Sequence, residues 1–392
     1  MRYRTPLLRL IGSIQNRKRR PTPKHVARMV VVRPDHLGDV LLTTPALGLL
    51  RAAFPSADIT LLVGPWSRDV AARQPAVDHV GEIRFPGFER GIPASILQRY
   101  TGLAVLARRL STERYDAAII MRPDFWWGAW LAAAAGIPVR LGYAHPEVQP
   151  FLTHAIPVAA RRHSAVDALE LARTAARRWG TPQLTTAWQP GVPPLSFPLR
   201  SADRHDAVQR LHKAGITPTE SFVLVHIGAG AAVKRWTRSN WISLIVRIKD
   251  HLGVPVLVCG GPTEQAEVAV IAAAAGGVTL SSGASFATLG AVMQRAMAVV
   301  GADSGAMHLA VAVGAPTTTL FGPADPVVYG PWGAPRRHAV VTSAMICSPC
   351  TILGWPAGEV AYHPCVRRIT VDEVYRALER VVAIGRVEGV PR

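Results

Sequence analysis

The chain has 392 residues, more than one hydrophobic core commonly serves, so two domains are expected. Its content of 49% hydrophobic and 18% charged residues supplies ample material for packed cores and excludes a disordered chain. The 44 Lys and Arg against 26 Asp and Glu give a formal charge of +18, which favours anionic neighbours.

Half of that charge is local. Arg2, Arg4, Arg9, Arg17, Lys18, Arg19, Arg20, Lys24 and Arg28 supply nine positive charges before Met29, with no acidic residue among them. Leu7, Leu8, Leu10, Ile11 and Ile14 interleave with these charges. The first fourteen residues therefore read as a short basic helix lying on an anionic membrane surface, the alternative being a disordered basic tail. Arg9 interrupts the apolar positions and no small-residue cleavage site follows, which is unlike a secretory signal. The longest uncharged stretch, 304–324, is broken by Gly314, Pro316, Gly322 and Pro323, so no membrane-spanning helix is expected. Four cysteines do not suggest a disulfide scaffold, and a reducing cytoplasm is the simpler assumption.

After this arm, 1–26, the β-branched run 27–32 reads as a strand buried in a parallel sheet. It leads into Arg33-Pro34-Asp35-His36-Leu37-Gly38-Asp39, with a helix following from Val40. Strand, glycine turn and helix open a doubly wound α/β domain, whose ligands bind at the carboxyl ends of the strands. No G-x-G-x-x-G is present, which weakens a nicotinamide dinucleotide assignment. Asp39 at the helix mouth is either an N-cap or a carboxylate suited to take a proton from an acceptor hydroxyl. The alternation continues through strands at 58–63, 80–85, 116–121 and 139–143, with helices at 96–110 and from Phe125. The aromatic cluster at 125–130 abuts an alanine run rather than basic residues, which favours core or cleft wall over a nucleic-acid stacking surface. A helix over 166–179 closes a first domain, 27–181. The prolines at 182, 190, 193, 194 and 198 mark an extended, stiff linker, 182–200.

The second half, 201–392, repeats the pattern. Strands are expected at 222–227, 254–259, 299–302 and 317–321, with an amphipathic helix at 240–252 and another near 286–294. Two similar open sheets result. Three strand-end turns carry the chemistry. Gly228-Ala229-Gly230 exposes backbone amides, and Lys234 adds a point charge for a diphosphate. After Gly260-Gly261-Pro262-Thr263, Glu264 offers a carboxylate to a ribose diol. Asp303-Ser304-Gly305-Ala306-Met307-His308 opens a helix at Ser304, which is expected to cap it. Gly305 leaves room for an anion at the amides, and His308 sits one turn in. Asp303 reads as an orienting group or sugar-hydroxyl acceptor, since like charges repel. Together these turns read as a nucleoside-diphosphate pocket. Separately, Cys347, Cys350, His363 and Cys365 have ligand types suited to a structural zinc or iron, the alternative being unmetallated thiols packed in a loop.

These segments, with Phe321-Gly322-Pro323-Ala324-Asp325-Pro326, resemble glycosyltransferase family 9, the ADP-heptose:lipopolysaccharide heptosyltransferases. The resemblance runs from about Ala27 to Leu378 and leaves the arm outside. It implies a GT-B fold, two Rossmann-like domains facing across a cleft, with the donor held by the second and the acceptor by the first. It further implies metal-independent transfer with inversion and without a cofactor. Asp39 would be the base, Lys234 would lie on the diphosphate, Glu264 on the ribose, and Asp303, Ser304, Gly305 and His308 around diphosphate and sugar. The partners implied are a nucleotide sugar, ADP-heptose, and a saccharide or glycolipid acceptor. The chain departs from the family pattern at Thr237, where proline is usual after the tryptophan, and at Asp35 and His36. The alternatives are another nucleotide sugar on the same fold, a non-catalytic nucleotide-sugar-binding protein, or a basic nucleic-acid binder. No recognisable nucleic-acid module supports the last.

Overall fold

A computed structural model describes residues 4–17, 21–89, 96–181 and 189–387. The chain divides into two compact units, Met1–Trp188 and Gln189–Arg392.

In the first unit β1 (Arg28–Arg33), β2 (Asp58–Val63), β3 (His79–Glu82), β4 (Ala117–Ile120), β5 (Val139–Tyr143) and β6 (His154–Ile156) form one parallel sheet, in the order β3-β2-β1-β4-β5-β6. The central strands are continuous apolar runs because both of their faces are covered. Val31 pairs in register with Leu61 on one side and Ile119 on the other. Alternate residues Val30, Val32, Ala118 and Ile120 face a cluster that includes Leu103, Trp127, Leu131, Phe151 and Leu8. Helices Leu37–Ala53 and Ser164–Trp179 pack on each other, the second through its alanine-rich face.

The arm does form a helix, Arg4–Arg17, but two of its five apolar residues turn inward. Leu8 is buried and Ile11 packs beside it, so these two belong to the core of the unit rather than to a membrane contact.

In the second unit β7 (Val223–His226), β8 (Val256–Cys259), β9 (Val278–Thr279), β10 (Ala298–Ala302), β11 (Thr317–Phe321) and β12 (His338–Thr342) are again all parallel, in the order β12-β11-β10-β7-β8-β9. Counted from its own first strand, this sheet has the same order as the first, the order of dinucleotide-binding α/β domains. Strand order reverses between β1 and β4, and again between β7 and β10, and ligands of such sheets bind outside the strand ends at these switch points. Helices Arg238–Leu252 and Val371–Val387 bury Trp241, Leu244, Ile245 and Ile248, and Val374, Leu378 and Val381, against one core.

The proline-rich stretch read as a linker belongs to the second unit from Gln189 onward, and 182–188 lies outside the described residues. Leu195 and Phe197 are buried, Phe197 meets Phe286 edge to face, and Trp332 Nε1 donates to Pro193 O at 2.8 Å. No described helix is long and apolar enough to cross a membrane.

The outer strand β12 brings a titratable group into the sheet. His338 Nδ1 lies 3.0 Å from Thr317 Oγ1, and burial, with Arg337 adding to it, pushes the imidazole down to about 4. An unfolded histidine takes its proton near pH ~6.5, so the folded protein loses stability as pH falls from there toward ~4. Above that window the neutral ring costs nothing. Replacing His338 with Asn should therefore flatten the decline in melting temperature over this range; equal slopes for the two proteins would remove His338 as the titrating group.

Candidate active site

The second unit collects its polar groups where β7, β8 and β10 end. β7 stops at His226, and Ile227 N donates to Cys259 O to close the turn. The segment after the glycines is anchored by an aromatic: Trp236 is buried, meets Trp241 edge to face at 4.8 Å, and donates through Nε1 to Ile369 O. This fixes the direction of Lys234 two residues earlier. Thr237 is the N-cap of the following helix, its Oγ1 accepting from Asn240 N at 3.2 Å. A hydroxyl thus starts the helix where the family commonly uses proline's pre-set backbone.

Lys234 Nζ lies 2.5 Å from Asp303 Oδ2, with side chains only 14% and 8% exposed. The ammonium is the counter-ion of Asp303, which differs from its reading as a point charge reserved for phosphate. Glu264 is also paired, to Arg235 Nη2 at 3.2 Å. Its carboxylate lies across the glycine turns: a Cβ on Gly261 would come within 2.6 Å of Glu264 Oε2, and one on Gly228 within 3.1 Å of it and 2.9 Å of the His226 ring. A side chain at either position would push the Glu264 carboxylate out of this place. Burial pushes the His226 imidazole below its ordinary value, with Glu264 acting in the opposite sense. His226 is held neutral near neutral pH.

Ser304 occupies the N-cap position of helix Gly305–Ala312, but its hydroxyl does not cap. Its Oγ is instead buried with no hydrogen-bond partner among the described residues, the reverse of the expectation from sequence. The backbone at Ser304 is fully extended, φ −160° and ψ 165°, and the helix begins at Gly305. An orphaned hydroxyl at a helix start is a donor available to an anion. Asp303, Met307, His308, Thr319, Phe321, Tyr329 and Pro331 line a recess beside it. Lys234, Asp303 and His308 are thus brought to one place, and Glu264 stands over the neighbouring glycine turns.

In the first unit Asp39 is the third residue of helix Leu37–Ala53, whose N-cap is His36. The helix begins two residues before the aspartate, so Asp39 does not cap it. A carboxylate in the first turn is favoured by the helix dipole. The carboxylate, 31% exposed, lies 3.5 Å from Arg33 Nη2, whose side chain is almost fully buried. Arg33 Nε is 3.1 Å from Asp35 Oδ2, an ion-pair contact outside hydrogen-bond geometry, and Arg33 Nη1 donates to Met121 O. Asp35 also pairs with Arg122, which holds Asp124 at 2.6 Å and covers the Phe88 ring. Burial works against the Arg122 charge, but Asp35 and Asp124 outweigh it and hold the guanidinium protonated. Burial likewise raises Asp124, and the hydrogen bonds from Arg122 bring it below the ordinary carboxylate range. Arg33, Asp35 and Arg122 were not singled out from sequence as site residues. The available signal was charge at the ends of two buried strands, where an unpaired ion is too costly to persist.

Cys347, Cys350 and Cys365 lie near one another, and burial, with the other two thiols adding to it, pushes the Cys365 thiol up. Cys347 is exposed and Cys365 buried, His363 stacks on Trp355 at 3.5 Å, and no group of three His, Cys, Asp or Glu side chains among the described residues is placed to hold a metal ion.

Two Rossmann-like sheets of one strand order, each with ionic groups at its switch point, are the two domains of a GT-B fold. Residues 103–354 match glycosyltransferase family 9 (heptosyltransferase), and the chain belongs to that family. Lipopolysaccharide heptosyltransferase 1 of Pseudomonas aeruginosa is 25% identical over 328 residues, covering 82% of this chain and 86% of that protein. Among solved structures, the family 9 glycosyl transferase of Veillonella parvula superposes with a TM-score of 0.73 at 24% identity, covering 92% of this chain and 98% of that one. The ADP-heptose lipopolysaccharide heptosyltransferase II of Escherichia coli gives 0.68 at 20% identity, with 92% and 99% covered. At these identities the structures speak for the shared GT-B fold.

Proposed function

We propose that this chain is an inverting, metal-independent glycosyltransferase that moves heptose from ADP-heptose to a saccharide acceptor of the lipopolysaccharide-core kind, in the cytoplasm. The observation that supports it best is the Lys234–Asp303 pair beside the orphaned Ser304 hydroxyl at a helix start. This corner at a switch point gathers an ammonium, an orphaned hydroxyl and the amides of a helix start, the donors a pyrophosphate needs. The names of the relatives supply the sugar.

Asp39 accepts the proton of the acceptor hydroxyl as that oxygen attacks the anomeric carbon. The bond from that carbon to the diphosphate oxygen breaks, and the electron pair leaves with ADP. Lys234, the Gly305 end of the helix and His308 offset the charge that develops on the diphosphate, without a divalent ion. Glu264 holds the ribose, and Asp303 holds Lys234 and a sugar hydroxyl. Arg33, fixed by Asp35, keeps the Asp39 carboxylate in place.

A panel of nucleotide sugars tests the donor. A ligand at a hundred times its Kd stabilises the folded state by about 2.7 kcal/mol, so ADP-heptose should raise the melting temperature measurably and by more than UDP- or GDP-sugars do. A larger rise with another nucleotide sugar would replace the donor, and binding without turnover on any saccharide would replace catalysis by sensing.

A further inference from the structure

The carboxyl edge of the first sheet gathers more charge than Asp39 and its arginine. Arg33 ends β1, and Arg122 stands just past β4, the strand paired in register with β1. Asp35 lies between the two arginines, its side chain only 5% exposed. Asp35 Oδ1 accepts from Arg122 Nη1. Asp35 Oδ2 faces Arg33 Nε at 3.1 Å, and neither of these two atoms has a hydrogen-bond partner among the described residues. Arg122 is clamped from its other side as well. Its Nε donates to Asp124 Oδ1 at 2.6 Å and its Nη2 to Asp124 Oδ2 at 3.2 Å, with the guanidinium 5.1 Å from the centre of the Phe88 ring. All three nitrogens of this guanidinium are engaged, which fixes its plane.

Charge then decides which carboxylate Arg33 serves. Its Nη2 lies 3.5 Å from the Asp39 carboxylate, while Asp35 and Asp167 draw on the same cation. Asp167 belongs to helix Ser164–Trp179, which packs on the helix carrying Asp39, and it accepts from Arg162 Nε at 2.5 Å. Burial pushes the Asp167 carboxyl up, with Arg162 and Arg33 working against it. Glu170 of the same helix is paired with Arg173 at 2.6 Å. At the end of β5, burial pushes the Tyr143 phenol up, so it stays protonated. His145 acts on Asp124, and His36 is tilted against the Trp66 ring. Asp35 and Asp167 thus each hold a second guanidinium, that of Arg122 and that of Arg162, and this division leaves the charge of Arg33 for Asp39. Arg33 and Asp35 are almost fully buried, so solvent screens their exchange little.

We propose that Arg122 is a positioning residue of the transfer reaction: by neutralising Asp35 it frees Arg33 to hold Asp39 ionised and in place as the base. This rests on the reading of Asp39 given above. Arg122 touches neither the base nor the reacting atoms and acts through Asp35 and Arg33 alone.

The pH dependence of kcat/KM for transfer to a saccharide acceptor tests it in the wild type, Arg122→Met, Asp35→Asn and Arg122→Lys. Without Arg122, Asp35 draws on Arg33, and the Asp39 carboxylate loses part of its counter-charge and takes a proton at higher pH. The acid limb should rise by about one unit in Arg122→Met, a roughly tenfold loss of rate below the limb. Asp35→Asn removes the competitor for Arg33, so its limb should move down. Arg122→Lys keeps a cation beside Asp35 and should bring the limb back toward the wild type. A merely structural role would lower the rate at every pH together with the melting temperature, without opposite movements of the limb. Limbs that stay put, or that move the same way in Arg122→Met and Asp35→Asn, would overturn the proposal. So would a raised acceptor KM with the limb unmoved, which places Arg122 on the substrate. Asp39→Asn measured alongside separates the two readings: if it stays active, the base assignment falls and this proposal with it; if it is inactive while the limbs do not move, only the role of Arg122 falls.

Discussion

Asp39→Asn is expected to lower kcat for glycosyl transfer by about 10²- to 10⁴-fold, the range that a positioned general base supplies, with the Kd for ADP changed less than about twofold. The separation follows from the architecture. Asp39 lies on the first unit, after β1, whereas every residue assigned to the nucleotide lies on the second. Asparagine has the same shape, and at 31% exposure the side chain is not deeply buried, so the substitution should fold. The group that most feels the loss is Arg33, but Arg33 keeps Asp35 at 3.1 Å and Met121 O as partners and is not left as a bare buried cation. A stability loss large enough to mimic a catalytic one is therefore not expected, and a melting curve beside the kinetics checks it. Activity within tenfold of the wild type would remove Asp39 from the base role.

Much of the architecture is legible in the sequence because parallel strands buried on both faces are written as unbroken β-branched runs. Asp58–Val63 and Thr317–Phe321 stand where those runs predict them, and Val139–Tyr143 also stands where it is expected although Arg140 and Gly142 interrupt it. The strands that escaped lie at the sheet edges. His154–Ile156 has only three residues, and His338–Thr342 is mostly unburied with a polar residue at each end, so neither carries the pattern of a central strand. The N-terminal helix shows the converse limit. Its apolar positions were visible, but whether Leu8 or Leu7 turned inward depended on Pro150 and Phe151, far along the chain. In the site, the turns carrying Lys234, Glu264, Asp303, Ser304, Gly305 and His308 could be found because each follows a strand. That Lys234 holds Asp303 could not, since the pair spans 69 residues and meets only because β10 lies beside β7. Likewise the failure of Ser304 to cap its helix is a matter of backbone angles that no residue type announces.

Lys234→Ala should raise the Kd for ADP by about 10- to 100-fold, the size expected when a charge-assisted contact to phosphate, worth about 1.5–3 kcal/mol, is removed. Two causes contribute, and they are separable. The ammonium itself is lost, and Asp303, only 8% exposed, is left as an unneutralised carboxylate beside the incoming diphosphate. The same orphaned charge should lower the melting temperature of the unliganded variant. Combining Lys234→Ala with Asp303→Asn removes the repulsion but does not restore the cation. If Lys234 turns from Asp303 to the nucleotide on binding, the double variant recovers its melting temperature and only part of its affinity, and the salt dependence of ADP binding becomes shallower than in the wild type. If Lys234 acts solely as the counter-ion of Asp303, the double variant binds ADP as tightly as the wild type, and the phosphate role passes to Arg235 or to the helix start at Gly305. Calorimetric titration of ADP into the three proteins at two salt concentrations decides between them, because the two mechanisms predict opposite outcomes for the double variant.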